Sequence, residues 1–330
     1  MVSVALLSNP QSTGNRLLLP RVRRFCAEHH DVFHYEVDEV GQVGQALDSI
    51  AQVRPRILVV NGGDGTVQAV LTAIHNGQPF ETAPPLAVLP NGKTNLIALD
   101  LGSVGDPVVA LSRLLEIARS DLDDHLVSRE MIALSSGRPG GVRVPPTVGM
   151  FLGGAGLADT ILFCRHSIYP MGLPNGISHV LAAFAVMVSL LMRMSGRFLP
   201  PLPRPIAVRL KRDGFVQGRF SLLIVTTLEK LLLSINTSGP SDGSSAGAGQ
   251  MRLLAVDSSI GALWRLFFAG SRGQLGRRAL TGVHLGASDE IEIEGERSSV
   301  ILDGELFTAG AGETIRLRTT APMSFVRLAA

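Results

Sequence analysis

A strand that runs into a glycine-rich turn and then into a helix is the feature that most constrains the fold of this chain. Residues 57–60 form an apolar run rich in β-branched residues, which predicts a buried strand of a parallel sheet. The turn reads Gly62-Gly63-Asp64-Gly65-Thr66, and the helix has apolar positions at Val67, Val70, Leu71 and Ile74. Glycines let backbone N–H groups approach a ligand, and a helix start adds unpaired donors and a positive dipole end. The turn is therefore a candidate phosphate site, although Asp-Gly after two glycines could also be an ordinary tight turn.

Two polar residues of this turn bear on what it could bind. Thr66 suits the N-cap of the helix and could also hydrogen-bond phosphate. Asp64 needs more explanation, because a bare carboxylate repels phosphate. It fits a phosphate site only with a metal ion, a proton or a water network between the two groups.

The N-terminal part of the chain alternates strands with helices. Strands are predicted at residues 2–7, 33–37, 57–60 and 86–89, and helices at residues 17–29, 43–53, 67–74, 96–101 and 107–119. The alternation predicts an α/β domain with a doubly wound parallel sheet over residues 1–124. Ligands of such sheets bind at the carboxyl ends of the strands, where the glycine-rich turn lies.

Residues 125–319 show a different pattern, in which loops of Gly, Pro, Ser and Asp separate short strands. The predicted strands are 127–134, 147–152, 207–212, 221–227, 231–235, 251–256, 290–294, 300–302 and 314–319. This pattern predicts a mostly antiparallel β domain, a sandwich or a barrel, interrupted by helices near residues 178–194 and 260–269. Residues 238–249 are of low complexity and predict a loop. We expect the last segment, 320–330, to rejoin the first domain.

Length, charge and cysteine content exclude several classes of protein. A chain of 330 residues exceeds what one core usually fills, so two domains are expected. A net charge of +2 with scattered basic residues argues against a nucleic-acid partner. Cys26 and Cys164 fit no metal-ligand spacing and favour a reducing compartment. The apolar start has neither a basic leader nor a cleavage site, so we expect a cytoplasmic protein. The longest apolar run, residues 180–192, is shorter than the roughly 20 residues that span a bilayer.

Four stretches together carry a family resemblance. They are Asn9-Pro10 with Gly14, Gly62-Gly63-Asp64-Gly65-Thr66, Pro90-Asn91-Gly92-Lys93-Thr94-Asn95, and Asp303-Gly304-Glu305. In this order and spacing they resemble the diacylglycerol kinase-like lipid kinases, which include bacterial diacylglycerol kinases, sphingosine kinases and ceramide kinases. The resemblance covers nearly the whole chain, whereas the second stretch alone is also similar to NAD kinases and phosphofructokinases.

The resemblance implies a fold and an activity. It implies a Rossmann-like N-terminal domain of the NAD kinase type, a C-terminal β-sandwich domain and a nucleotide cleft between them. The activity is transfer of the γ-phosphoryl group of ATP, with Mg²⁺, to the hydroxyl of a lipid such as diacylglycerol, ceramide or a sphingoid base. The lipid acceptor lies at a membrane surface, which implies peripheral contact with the inner face of a membrane. Homodimer formation stays open.

The resemblance also assigns roles to residues. Nucleotide contacts are assigned to Asn9, Gly62, Gly63, Gly65, Thr66, Gly92, Lys93, Thr94 and Asn95. Asp303 matches the proposed general base, and Glu305 and Asp64 complete the catalytic set as candidate magnesium ligands. Such chemistry needs positioning, charge neutralisation and a base for the acceptor hydroxyl.

The third stretch departs from the family pattern at two positions. The family usually has Asp directly after the residue that matches Asn95, and here that residue is Leu96. Asp100 lies one helical turn further along on the same side and could restore a carboxylate as a metal ligand. Lys93 replaces a small or hydroxylated residue, and it could bind phosphate or simply point to solvent.

Several of these patterns have a plainer interpretation. Asp303-Gly304 lies between two apolar pairs and could be a simple hairpin turn. The run Gly153-Gly154-Ala155-Gly156 is better explained by close strand–helix packing at the lipid entrance than by a second ligand loop. The apolar residues around Trp264 are predicted to be core rather than a membrane-facing patch. The helix at 180–194 could line the acyl-chain site or could be plain core.

Two other functions fit parts of the sequence. A catalytically silent lipid- or nucleotide-binding protein would account for Leu96. An NAD kinase would share the glycine-rich turn, but it would leave Asp303-Gly304-Glu305 and the apolar helix unexplained.

Overall fold

A computed structural model describes residues 2–120, 122–138, 144–164, 189, 199–211, 214–229, 251–276, 279–295 and 298–328. Its strands are β1 Val4–Ser8, β2 Val32–Glu36, β3 Ile57–Gly62, β4 Leu86–Pro90, β5 Leu126–Arg129, β6 Ile132–Gly137, β7 Thr147–Gly149, β8 Phe151–Gly154, β9 Pro205–Leu210, β10 Gly214–Thr226, β11 Met251–Asp257, β12 Val283–Ser288, β13 Glu290–Gly295, β14 Ser298–Leu302, β15 Glu305–Ala309, β16 Thr314–Thr319 and β17 Met323–Val326. Its α-helices are α1 Asn15–Glu28, α2 Val43–Val53, α3 Asp64–Gly77, α4 Leu96–Asp100, α5 Pro107–Arg119, α6 Gly156–Phe163 and α7 Ile260–Ser271. Short 3₁₀ helices lie at Val40–Gln42 and Asp123–His125.

The first sheet has the strand order β2-β1-β3-β4-β17-β5, and β1 to β4 are parallel. Side chains of β1 alternate between two apolar cores. Ala5 and Leu7 pack with α2 and α3 on one face, and Val4 and Leu6 pack with α1 and α5 on the other. Because helices cover both faces, these strands are apolar throughout. The prediction of a doubly wound α/β domain is confirmed.

The strand order reverses beside β1. The chain passes from β1 to β2 on one side and then crosses to β3 on the other side. A reversal of this kind opens a crevice at the carboxyl ends of the two central strands, where open α/β sheets bind ligands.

The C-terminal strand β17 returns to complete the first sheet. It runs parallel to β4, with Phe325 opposite Leu86, and antiparallel to β5. The predicted strand 127–134 is in fact two strands, because β5 pairs in the first sheet and β6 in the second. The first sheet therefore extends beyond the boundary predicted after residue 124.

The remaining strands form an antiparallel system around a separate core. The long strand β10 pairs with β9 along its first half and with β8 and β11 along its second half. Its register shifts between Phe220 and Leu222, and this irregularity lets one strand serve both layers. Inward residues such as Val208, Leu253 and Ile315 share the core between the layers. The predicted antiparallel β domain is confirmed as a sandwich.

Some predicted elements lie outside the described residues, and some observed strands were not predicted. The predicted strand 231–235, the loop 238–249 and nearly all of the helix 178–194 lie outside the described residues. Strands β12 and β15 have no predicted counterpart, because most of their side chains are half-buried or exposed and give weak apolar alternation. Among the described helices, none is long and apolar enough to cross a bilayer.

Candidate active site

Three of the four sequence stretches meet because three neighbouring strands end at one edge of the first sheet. Ser8 at the end of β1 pairs with Asn61 of β3, and Gly62 pairs with Pro90 of β4. The loops after these strands therefore lie side by side, next to the point where the strand order reverses.

Buried asparagines hold the three loops together. The Asn15 side chain donates to the carbonyl oxygens of Asn9 (2.7 Å) and Asn61 (2.9 Å). The Asn91 side chain donates to Asn15 Oδ1 at 2.9 Å and also to Asn61 Oδ1. Asn15, Asn61 and Asn91 are almost completely buried. Linked buried amides favour a single loop arrangement, because breaking a link leaves a buried polar group unmet. Asn91 Oδ1 has no hydrogen-bond partner among the described residues. The sequence analysis did not identify this network, although asparagines near the ends of three predicted strands were its signal.

Helix α3 starts three residues earlier than predicted, within the glycine-rich turn itself. Gly63 is the N-cap in extended conformation, and α3 begins at Asp64. Thr66 therefore lies in the first helical turn, and the predicted N-cap role for Thr66 is wrong. Its hydroxyl oxygen instead accepts a hydrogen bond from Asn9 Nδ2 at 2.9 Å. The Gly63 N–H donates to Ser12 Oγ at 3.2 Å, which ties the turn to the first loop.

The glycines of the site differ in what surrounds them. A Cβ atom on Gly62 would lie 2.7 Å from the Cβ of Thr66, and one on Gly92 would overlap the backbone of Gly63. These two glycines are required for packing between the loops. A Cβ on Gly65 would only reach ordinary contact, 3.7 Å from Glu305 Oε1. Gly65 therefore faces open space in front of Glu305.

Asp64 joins the glycine-rich turn to the third stretch. Its Oδ2 accepts a hydrogen bond from the backbone N–H of Leu96 at 3.4 Å, and the N–H groups of Asn95 and Ile97 also lower its pKa. It thus caps the start of α4 from outside that helix, as a carboxylate favourably does. Burial raises the pKa of Asp64, and the N–H groups oppose that rise.

The third stretch closes on itself through Asn95. This residue has a left-handed backbone with φ +56°, which asparagine tolerates better than most residues. Its side chain accepts from Gly92 N at 2.6 Å and donates to Gly92 O at 3.1 Å. Lys93 and Thr94 are exposed at the tip of this loop.

The structure does not bring Asp100 to the other predicted metal ligands. The Asp100 carboxyl is buried, and its Oδ2 lies 3.8 Å from the guanidinium of Arg129 in β5. Leu96 contributes its N–H to Asp64, while its side chain packs against the core of the first domain. In the described part of the chain, no three His, Cys, Asp or Glu side chains are grouped as a metal site.

Asp303 is the most constrained acid of the site. It occupies the turn between β14 and β15, has φ +45° and is 5% exposed. Its Oδ2 accepts from Met150 N and its Oδ1 from Phe151 N, both at 2.9 Å, and its own N–H donates to Phe151 O. A carboxyl at an ordinary hairpin turn is solvated, whereas this carboxyl accepts hydrogen bonds from two backbone N–H groups.

The environment of Asp303 makes it titrate near neutral pH. Burial raises the pKa of Asp303 to about 7, and the negative charge of Asp64 acts in the same direction. The N–H groups of Met150 and Phe151 partly oppose the rise. A carboxyl with this pKa can accept and release a proton at physiological pH.

One polar face of α3 fixes the position of the Asp303 turn. Gln68 Nε2 donates to Leu302 O at 2.7 Å, and Thr72 Oγ accepts from Val148 N at 2.9 Å. Asn76 Nδ2 donates to Pro146 O at 2.9 Å. These three residues recur at every fourth position and therefore line one side of the helix. The helix that begins with Asp64 thus also positions the turn of the second domain that carries Asp303. The sequence analysis missed this role, for which polar residues at four-residue spacing were the signal.

The structure brings several of the predicted site residues close to one another. Gly65 lies beside Glu305, since a Cβ on Gly65 would be 3.7 Å from Glu305 Oε1, and the negative charge of Asp64 acts on Asp303. Asn9 and Thr66 brace the glycine-rich turn behind them. Asp100 stays apart with Arg129.

Comparisons with known proteins identify a matching family and structures with a similar fold. Residues 3–124 match the family described as the diacylglycerol kinase catalytic domain. A structure of a diacylglycerol kinase from Bacillus anthracis str. Sterne has a TM-score of 0.60 at 16% identity, covering 98% of this chain and 96% of the other. Another structure from the same strain reaches a TM-score of 0.63 at 17% identity, with the same coverage. Yeast NADH kinase complexed with NADH has a TM-score of 0.51 at 10% identity, covering 98% of this chain and 83% of the other. At these identities the structures show a shared fold. No curated protein matches the sequence.

Proposed function

We propose that this chain, whose residues 3–124 match the family of the diacylglycerol kinase catalytic domain, transfers the γ-phosphoryl group of ATP to a lipid hydroxyl. The reaction forms a bond between the acceptor oxygen and the γ-phosphorus, breaks the bond to the β-phosphate oxygen and releases ADP. The acceptor hydroxyl must lose a proton as it attacks.

The position and titration of Asp303 carry the proposal. Its carboxyl is buried, is fixed by Met150 N and Phe151 N, and is close enough to Asp64 of the glycine-rich turn for that charge to raise its pKa. A positioned base whose pKa lies near the working pH accelerates proton transfer typically by 10²–10⁴-fold. A group whose pKa rises to about 7 meets that condition.

The glycine-rich turn supplies a candidate site for the nucleotide phosphates. The start of α3 offers backbone N–H groups and a positive dipole end, and Gly65 leaves space in front of them. Lys93 and Thr94 stand exposed on the neighbouring loop and could contact the nucleotide.

The acidic residues of the cleft fit a magnesium ion. Mg²⁺ in kinases is usually held by one or two carboxylates together with substrate phosphates, so a three-carboxylate cluster is not required. Glu305 is exposed beside Gly65, the residue that follows Asp64, and the carboxylates of Glu305 and Asp64 would hold the ion. Bound magnesium would neutralise charge on the phosphates. The residues of the chain then orient the phosphates at the turn and take the acceptor proton at Asp303.

An acceptor panel tests the proposal directly. The purified chain is incubated with radiolabelled ATP and with diacylglycerol, ceramide, a sphingoid base or NAD, each in detergent micelles or solution as appropriate. We expect label in one of the lipids and no label in NAD. Label in NAD without lipid would contradict the proposal and indicate an NAD kinase instead.

A second candidate function is binding without turnover, and Leu96 favours it. The family carboxylate at this position is replaced by a side chain that packs into the core, and Asp100 does not take its place. A silent protein would bind ATP with ordinary affinity and label none of the acceptors. Isothermal titration with ATP beside the acceptor panel separates the two functions.

A further inference from the structure

Helix α7 presents aromatic side chains to solvent. Trp264, Phe267 and Phe268 are 49%, 60% and 46% exposed. Their rings pack on one another with centroids 5.5–6.0 Å apart. The prediction of core packing is wrong for these three residues, while Leu263 and Leu266 on the inner side of the helix do pack against the domain. Three clustered aromatic rings in water mark an interaction surface.

Positive charge surrounds this aromatic cluster. The Arg272 guanidinium lies 5.3 Å from the centroid of the Phe268 ring, and Arg265 donates to the carbonyl oxygen of Thr281 at 2.6 Å. Between Asp257 and Asp289 the sequence contains four arginines and no acidic residue. In the described part of the chain, the guanidinium groups of Arg265 and Arg272 therefore accompany the exposed aromatic rings.

We propose that α7 docks on an anionic lipid bilayer. Trp264, Phe267 and Phe268 enter the interfacial layer, and Arg265 and Arg272 contact lipid phosphates. Aromatic residues on one side of a helix with arginines around them are the composition of helices that lie in a membrane interface. A second copy of the chain is a poorer occupant, because two such faces would bring their arginines together without acidic partners.

The place of α7 in the fold connects this surface to the cleft. Leu263 and Leu266 pack in one apolar cluster with Phe151, whose backbone N–H donates to Asp303. The cluster lies on the outer face of the layer that contains β8, β10, β11 and β12. A bilayer at α7 thus meets the same layer that holds the proposed base. Binding itself does not depend on the proposed kinase activity.

The chain contains a natural probe for the test, because Trp264 is its only tryptophan. Intrinsic fluorescence is titrated with vesicles of phosphatidylcholine and with vesicles of phosphatidylcholine plus phosphatidylglycerol, in the absence of ATP. We expect a blue shift with the anionic vesicles, quenching when brominated lipids are included, and weaker binding at higher salt. Cosedimentation measures the same affinity independently.

Variants separate the two parts of the surface. Replacing Arg265 and Arg272 with Gln should weaken binding to anionic vesicles about 25-fold, since each cation near such a surface is worth about fivefold. Phe267→Ser with Phe268→Ser keeps the probe and should weaken binding by about tenfold or more. The matched control is Phe215→Ser with Arg209→Gln, because Phe215 is also exposed and Arg209 lies 5.7 Å from its ring centroid. The control should bind as the unchanged protein does.

Three results would overturn the proposal. The chain could sediment with anionic vesicles while Trp264 fluorescence stays unchanged, which would assign docking to another surface. It could fail to bind both vesicle types. The α7 variants could instead alter the oligomeric state in analytical ultracentrifugation and leave vesicle binding intact, which would make α7 a contact between copies. If the kinase proposal holds, the α7 variants should phosphorylate a short-chain soluble acceptor as fast as the unchanged protein does. Membrane docking and kinase activity are therefore tested independently of each other.

Discussion

At the scale of single residues, Asp303 combines two unfavourable features. Its backbone is in the left-handed region and its carboxyl is buried. Left-handed backbone costs stability even for Asp, which tolerates it better than most residues, and burial disfavours the charged form. The hydrogen bonds from Met150 N and Phe151 N hold the side chain in place despite these costs. Features of this kind concentrate at functional sites.

Asp303→Asn should separate binding from turnover. The amide cannot take the acceptor proton, so turnover is expected to fall roughly 10²–10⁴-fold, while ATP and lipid affinities stay similar. In the unchanged protein turnover should rise with pH through about 7, as Asp303 loses its proton. Fixed-time kinase assays across a range of pH values measure both effects. Near-normal turnover in the variant would show that Asp303 is structural and not the base.

The same residue predicts how stability depends on pH. The folded-state pKa of Asp303, about 7, lies above its ordinary value of 3.8, so the native state holds this proton more tightly than the unfolded state does. Protonated Asp303 therefore adds at most about 4 kcal/mol to the free energy of unfolding. This contribution is fully present below pH about 4 and is lost as pH rises to about 7. Urea unfolding at several pH values should show this loss in the unchanged protein and not in Asp303→Asn. Parallel pH curves for the two proteins would contradict the assignment.

Gly65→Asp tests the phosphate site at one position. A Cβ fits at Gly65 with ordinary contact, so Gly65→Ala should leave the fold and most of the ATP affinity intact. An aspartate adds a third negative charge beside Asp64 and Glu305 and repels phosphate, so ATP binding should be lost. Isothermal titration compares the two variants. Equal ATP affinity for both would remove the turn from the nucleotide site.

At the scale of elements, α3 has two functions. Its first turn carries the candidate phosphate site, and its side chains Gln68, Thr72 and Asn76 bind backbone groups of the second domain. The distance between the glycine-rich turn and Asp303 is therefore set by one rigid helix. This explains how residues far apart in the sequence meet in the cleft.

Gln68→Ala should disturb this positioning. It leaves the buried Leu302 carbonyl without its donor, which should cost about 1–3 kcal/mol of stability. The Asp303 turn loses its link to α3, so turnover should fall more than ATP affinity does. Asn76→Ala removes the equivalent exposed bond to Pro146 O and serves as the control. If the two variants lose turnover equally, the loss reflects general destabilisation of α3.

Apolar periodicity predicted elements well where one or both faces are buried. The strands β1, β3 and β4 are apolar along their length and were predicted to within a few residues. Strand β12 was missed because its partly exposed side chains give no alternation. The aromatic residues of α7 were assigned to the core because hydrophobicity alone does not distinguish a buried ring from one kept at a surface for a partner. The asparagine network was missed because amide pairing depends on three-dimensional proximity.

At the scale of the whole molecule, the two domains share their chain. Strand β17 follows the entire sandwich and inserts beside β4 in the first sheet, with Phe325 fully buried. The four stretches of the resemblance revealed the order of the domains, but pairing of β17 with β4 and β5 depends on contacts across the whole chain. Such long-range pairing leaves little local signal.

Phe325→Ala should destabilise both domains together. Removing this buried ring leaves a cavity in the first domain, at a cost of about 3–5 kcal/mol. Because β17 links β4 to β5, we expect one cooperative unfolding transition at lower denaturant, seen alike by circular dichroism and by Trp264 fluorescence. Phe215→Ala, at an exposed ring, should change stability by less than about 0.5 kcal/mol. Separate transitions by the two probes would show that the domains unfold independently.

The late position of β17 has a consequence for synthesis on the ribosome. Strand β4 emerges early, yet its partner is translated only after the entire sandwich domain. At about 5–20 residues per second the edge of β4 waits on the order of 10 to 50 seconds for β17. During that interval Leu86–Pro90 lacks its partner on the side that β17 later covers. The order of translation therefore leaves this strand edge open to mispairing until the chain is nearly complete.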